Sequence, residues 1–166
     1  MIIGKKLLKQ MYTNLDDEQY QPAGIDLTAG EVSELIHNEG TQYGLLKNAK
    51  ILPKHKKLEC KSIMAGGMIQ DVFVLESHTP YIITTNEKIK INNDVGQFYL
   101  PRSSLLRAGI DVCTAFGDPG FNGHLSFLII NNTDKPFLLE KGVRFAQVVS
   151  IGVTGMDGEY DGDYNE

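Results

Sequence analysis

Four short segments of the 166-residue chain gather side chains that could do chemistry. Gly117-Asp118-Pro119-Gly120-Phe121-Asn122-Gly123 is dense in turn formers and holds one carboxylate and one aromatic ring. A rigid turn that presents a carboxylate is a way to hold a general base, although a plain hairpin turn accounts for the same letters. Pro101-Arg102-Ser103-Ser104-Leu105-Leu106-Arg107-Ala108-Gly109 sets two guanidinium groups around two hydroxyls. Arginine forks and serine hydroxyls are natural donors to phosphate, and two arginines at a strand end can also simply face solvent. Gln21-Pro22-Ala23-Gly24-Ile25-Asp26-Leu27 places one acid in an apolar, strand-like frame. Such an acid is costly unless paired, so Asp26 is either structural or serves a metal. Glu140-Lys141-Gly142-Val143-Arg144-Phe145-Ala146-Gln147 leads into an apolar run in which Arg144 and Gln147 are the polar exceptions.

The elements that must position these segments are mostly strands. Leu7, Leu8, Met11 and Tyr12 fall at helical spacing behind Lys5 and Lys6, which predicts one short N-terminal helix. Beyond it come short runs rich in β-branched and aromatic residues: 72–75, 81–83, 89–91, 97–100, 125–130 and 143–151. Turn signals divide them at His78-Thr79-Pro80, Thr85-Asn86-Glu87, Asn92-Asn93-Asp94 and Asn131-Asn132-Thr133-Asp134. Short strands at this spacing predict an all-β sandwich or barrel. Residues 1–151 read as one domain, and the Gly- and acid-rich stretch 152–166 as a mobile tail.

Composition narrows the chemistry further. Sixteen basic against 21 acidic residues leave a net charge of −5, which gives no bulk attraction to nucleic acid. No apolar run approaches the ~20 residues of a membrane span, and the N-terminus lacks a signal peptide's apolar stretch. Two cysteines, Cys60 and Cys113, make no disulfide framework. The expectation is a soluble, cytoplasmic protein. Nucleophile-elbow, P-loop, dinucleotide and zinc-deaminase motifs are absent, and the four histidines never fall at zinc-ligand spacing. Asp157, Glu159, Asp161 and Gly162 imitate the start of a calcium loop, but the chain ends before its closing acid.

Taken in order, the four segments resemble motifs one to four of the trimeric dUTPase and dCTP deaminase superfamily. Ala23-Gly24-Ile25-Asp26-Leu27 is similar to motif one and Pro101-Arg102-Ser103-Ser104 to motif two. Asp118-Pro119-Gly120-Phe121-Asn122-Gly123 is similar to motif three, and Gly142-Val143-Arg144-Phe145-Ala146-Gln147 to motif four. The resemblance implies a distorted, jelly-roll-like β-barrel and a homotrimer whose active sites draw on neighbouring subunits. It also separates two branches. The deaminase branch has features in common with Gln21-Pro22-Ala23, the double serine and Arg107, but it shuttles protons with a glutamate where this chain has Leu128. No acid lies between Asp118 and Asp134, and leucine cannot transfer a proton. The spacing from Ile110 to Asp118 is also like that of the dUTPase branch.

That branch implies magnesium-dependent hydrolysis of dUTP to dUMP and pyrophosphate. Asp118 then matches the aspartate that deprotonates the attacking water. Arg102, Ser103, Ser104 and Arg107 match donors around the phosphates, as does Gln147. Asp26 matches the aspartate that holds Mg2+ through water. Phe121 stands where the branch stacks a tyrosine under the deoxyribose, and the turn 112–117, Ala115 included, would read uracil through its backbone. The family's glycine-rich, arginine-bearing fifth motif has no match in residues 155–166; Glu159-Tyr160-Asp161-Gly162 is faintly similar to a deaminase tail. A deaminase, a bifunctional deaminase-diphosphatase and a non-enzymatic nucleotide-binding regulator are the competing readings.

Overall fold

The computed structural model describes residues 1–155, 158, 160–162, 164 and 165. Asp157 and Glu159 of the calcium-like pattern lie outside the described residues.

Helix α1 (Lys5–Met11) buries Leu8 and is followed by a 3-10 turn, Asp17–Gln19. Thirteen strands then follow in chain order. They are β1 (Tyr20–Gln21), β2 (Gly24–Ile36), β3 (Gly44–Leu46), β4 (Ala49–Ile51), β5 (Lys54–Lys57), β6 (Lys61–Ala65) and β7 (Met68–Leu75). The second half of the chain adds β8 (Pro80–Lys90), β9 (Val95–Pro101), β10 (Ile110–Cys113), β11 (Asn122–Asn131), β12 (Phe137–Glu140) and β13 (Arg144–Gly152). The expected all-β architecture is present. A second helix, α2 (Ser103–Arg107), for which the residues raised no expectation, forms after β9 and is anchored by buried Leu105.

The main sheet runs in the order β10-β11-β8-β2-β13-β9, with β1 and β5 attached to β2. Along β8 and β11 buried and exposed residues alternate, the period-two signature of a sheet with one packed face. Ile25, Leu27, Tyr81, Ile83, Phe127, Ile129, Phe145 and Val148 fill the interior. An isolated bridge between Gln97 and Gly117 joins β9 to the loop after β10 and brings the two ends of the sheet together. The result is a nearly closed barrel. Sheet β12-β7-β6 and hairpin β3–β4 are separate from it.

One expected turn is absent. Thr85-Asn86-Glu87 lies inside β8 instead of dividing two strands. Its polar side chains bond across to β2: Glu87 accepts from the Thr28 amide and hydroxyl, and Asn86 donates to the Thr28 hydroxyl. Cross-strand bonding of this kind makes a turn-like tripeptide stable in a strand.

Candidate active site

The described residues bring the site side chains together in two groups. The first is built on β2, β13 and the end of β9. Asp26 lies opposite Gln147, and Gln147 lies opposite Leu100, so Asp26 and Gln147 share one face of the sheet. Strict alternation would send Arg144 and Gln147 to opposite faces. A register shift between Arg144 and Ala146 removes that obstacle by setting an extra residue into β13. Arg144 consequently reaches the same carboxylate, its Nη1 donating to Asp26 Oδ2 at 3.4 Å. Arg102 follows β9, with its amide bonded to the Phe145 carbonyl, and its Nη1 stands 3.1 Å from the same oxygen. Gln21 Nε2 donates to it as well, at 3.2 Å.

Asp26 is therefore the shared counter-ion of two guanidinium groups. Its side chain is 4% exposed, while each arginine keeps about a third of its surface open. Burial pushes the Asp26 carboxyl above its ordinary range, against the pull of Arg102 and then Arg144. Ser103 and Ser104 continue from Arg102 into α2, both exposed, and Arg107 Nη1 donates to Ser103 Oγ at 3.4 Å. This edge offers forked cations and hydroxyls, which suit a polyanion.

The donor set does not compose a protein-held magnesium site. One oxygen of the single carboxylate already takes three donors, and no group of three or more His, Cys, Asp or Glu is gathered among the described residues.

The second group surrounds a cavity of about 540 Å³. Pairing between β10 and β11 stops at Cys113 opposite Leu128, and the chain leaves β11 to bridge to β9 at Gly117. The gap opened between loop 114–117 and β11 is this cavity, with Ala115, Asp118 and Phe121 in its lining. Asp118 is exposed at the mouth, in a turn that Gly120 completes at φ 88°. Phe121 is 9% exposed, and the ring of Tyr160 meets it edge-on at 5.7 Å. The Tyr160 amide bonds the Pro119 carbonyl, and Asn165 Oδ1 accepts from the Asn122 amide, so described residues of the tail lie against this turn.

None of Asp26, Arg102, Ser103, Ser104, Arg107 and Gln147 lines the cavity. Sequence reasoning also passed over residues that do, notably Tyr99 and the tail's Tyr160 and Tyr164. Leu128 sits between Cys113 and Ile82 in the sheet and supplies no acid.

The barrel carries an arginine-serine edge and, apart from it, a cavity with one carboxylate in its lining. The dCTP deaminase-like family model matches residues 3–151, and the chain belongs to that family. It is 38% identical over 164 residues to the probable deoxyuridine 5'-triphosphate nucleotidohydrolase of Methanopyrus kandleri, covering 99% of each chain. It is 30% identical over 149 residues to the dCTP deaminase of Thermococcus gammatolerans, covering 90% of this chain and 77% of that one. The crystal structure of 2'-deoxycytidine 5'-triphosphate deaminase from Agrobacterium tumefaciens shares the fold, with a TM-score of 0.63 at 21% identity over 90% of this chain and 47% of that one. Among the described residues no helix is long and apolar enough to cross a membrane.

Proposed function

We propose that the protein is a dUTP diphosphatase. The observation that carries this reading is the pair Asp118 and Leu128: a carboxylate at the mouth of the cavity, and a leucine where the deaminase chemistry needs an acid. The full-length likeness to a nucleotidohydrolase supports it. Asp118 takes a proton from water, the water attacks the α-phosphorus in line, and pyrophosphate leaves with dUMP as the other product. Arg102, Ser103, Ser104, Arg107, Arg144 and Gln147 hold the phosphate chain and offset the charge that develops on it. Phe121 packs beneath the deoxyribose, and Ala115 with its neighbours meets uracil through the backbone. Mg2+, if supplied with the triphosphate, would offset its charge, and Asp26 would be the residue to meet it through water.

The working form is proposed to be a homotrimer in the cytoplasm. The two groups of site residues do not share a cavity within one chain, which supports a site completed by a neighbouring copy. The face of β9 supports this. Phe98 and Leu100 are half exposed there, while Gln97 and Tyr99 are buried, the reverse of a strand whose outer face meets water.

The test is turnover of dUTP and dCTP, supplied separately with magnesium, with pyrophosphate and ammonia both measured. Pyrophosphate from dUTP alone is expected, and Asp118→Asn should lower kcat by about 10²–10⁴-fold. Ammonia from dCTP would overturn the assignment.

A further inference from the structure

A chain of polar groups runs through the seam where the barrel closes. Gln97 and Ser150 are wholly buried, and Tyr99 and Tyr12 nearly so. The Tyr99 hydroxyl donates to Gln97 Oε1 at 2.9 Å. Gln97 Nε2 donates to the Tyr12 hydroxyl at 2.6 Å and to Ser150 Oγ at 3.4 Å. A buried amide is costly unless its donors and acceptor are bonded, and here they are. The Gln97 backbone also exchanges two hydrogen bonds with Gly117, each 2.9 Å. Thr114 Oγ1 donates to the Tyr99 carbonyl at 2.9 Å. Loop 114–117 is thus fastened to β9 at both ends, and Asp118 is the residue immediately after the second fastening.

Gly117 shows how close the fit is. A Cβ there would overlap the Tyr99 hydroxyl, and the Ile91 side chain stands 2.9 Å from the same point. Burial pushes the Tyr99 hydroxyl far above its ordinary range, so it stays a donor. Asp118 itself is exposed, and its carboxylate makes no hydrogen bond or ion pair with the described residues. Backbone placement brings that carboxylate to the cavity mouth, near enough for its charge to act on the Tyr99 hydroxyl. Apolar side chains would seal the seam with no polar atoms to satisfy, whereas bonded groups fix direction as well as distance.

We propose that Tyr99 and Gln97 are positioning residues for Asp118, and that Tyr12 ties the N-terminal segment into the same support. This rests on the diphosphatase reading and extends it to residues outside the four motifs. Misplacement of a reacting group by about 1 Å can cost 10²-fold in rate.

The experiment is Tyr99→Phe in the full chain, read by kcat and KM for dUTP, thermal unfolding, and hydrogen exchange at the Gly117 amide. The expected result is a fall in kcat of about tenfold or more with KM within about threefold. Exchange at Gly117 should quicken, and the variant should add no further loss to Asp118→Asn. Two milder variants, Thr114→Val and Tyr12→Phe, should lower kcat by smaller factors in the same manner and answer the question if Tyr99→Phe does not fold. A lower melting temperature with kcat unchanged, or losses that multiply with Asp118→Asn, would overturn the proposal. So would unchanged exchange at Gly117, whatever the activity. A wild type that releases no pyrophosphate defeats the diphosphatase reading instead, and the exchange result still reports on the clamp.

Discussion

The two halves of the site place their charges by opposite means. On the arginine edge, cations are held by a buried anion: Asp26 gathers Arg102, Arg144 and Gln21 at distances of 3.1–3.4 Å. At the cavity mouth, an exposed anion is held by neutral groups alone, through backbone bonds at Gly117 backed by Gln97 and Tyr99. Each arrangement fits its task. Two guanidinium groups side by side repel, and a shared counter-ion lets them stand together ready for a polyanion. In its proposed role as general base Asp118 must meet water, and a side-chain partner would compete with the proton it has to accept.

Changes on the two sides should therefore separate in kinetics. Short of removing Asp118 itself, the largest effect is expected from Arg102→Lys, which keeps the charge and removes the fork. kcat/KM for dUTP should fall by about 30–100-fold, roughly 2–3 kcal/mol, while dUMP, which lacks the pyrophosphoryl part, should bind nearly as before. Titration calorimetry with dUMP, beside dUTP kinetics, checks the split. Equal weakening of both ligands would mean that the arginine edge also serves the nucleoside.

Gly117→Ala probes the other side. The added methyl must displace the Tyr99 hydroxyl or the loop itself, at a cost of about 1–3 kcal/mol. A melting temperature lower by several degrees is expected in calorimetry, together with a reduced kcat. Binding of inorganic tripolyphosphate, a ligand for the arginine edge alone, should not change. Weaker tripolyphosphate binding would show that the two halves are mechanically joined within one chain.

Much of this was legible in the residues, and the failures have physical causes. The segments around Asp26, Arg102, Asp118 and Gln147 stand out because polar side chains interrupt apolar runs at turns and strand ends. Strand β9 was legible as a strand, but its inside and outside were not. Phe98 and Leu100, two apolar residues of the run, are half exposed, and Gln97 and Tyr99 are the buried pair. A polar residue on a strand normally signals solvent, and nothing local shows that Tyr12, 85 positions away, supplies the Gln97 partner. The bulge beside Phe145 is equally hidden, since alternation alone places Arg144 and Gln147 on opposite faces. The turn expected at Thr85-Asn86-Glu87 failed because its bonding partners lie on β2.

The smallest effect is expected where the tail meets the cavity. Tyr160 adds an edge-on ring to Phe121 and one backbone bond to Pro119, and its neighbour Tyr164 lines the same cavity. Such a ring pair contributes about 0.5–1.5 kcal/mol beyond its buried area. Tyr160→Ala should therefore raise KM for dUTP a few-fold and leave kcat nearly constant, because the ring touches Phe121 and not the phosphate edge. The same change should appear in the affinity for deoxyuridine, which has no phosphate at all. A loss confined to dUTP would instead place Tyr160 near the triphosphate, and the tail would then act on the arginine edge of the site as well as on the cavity.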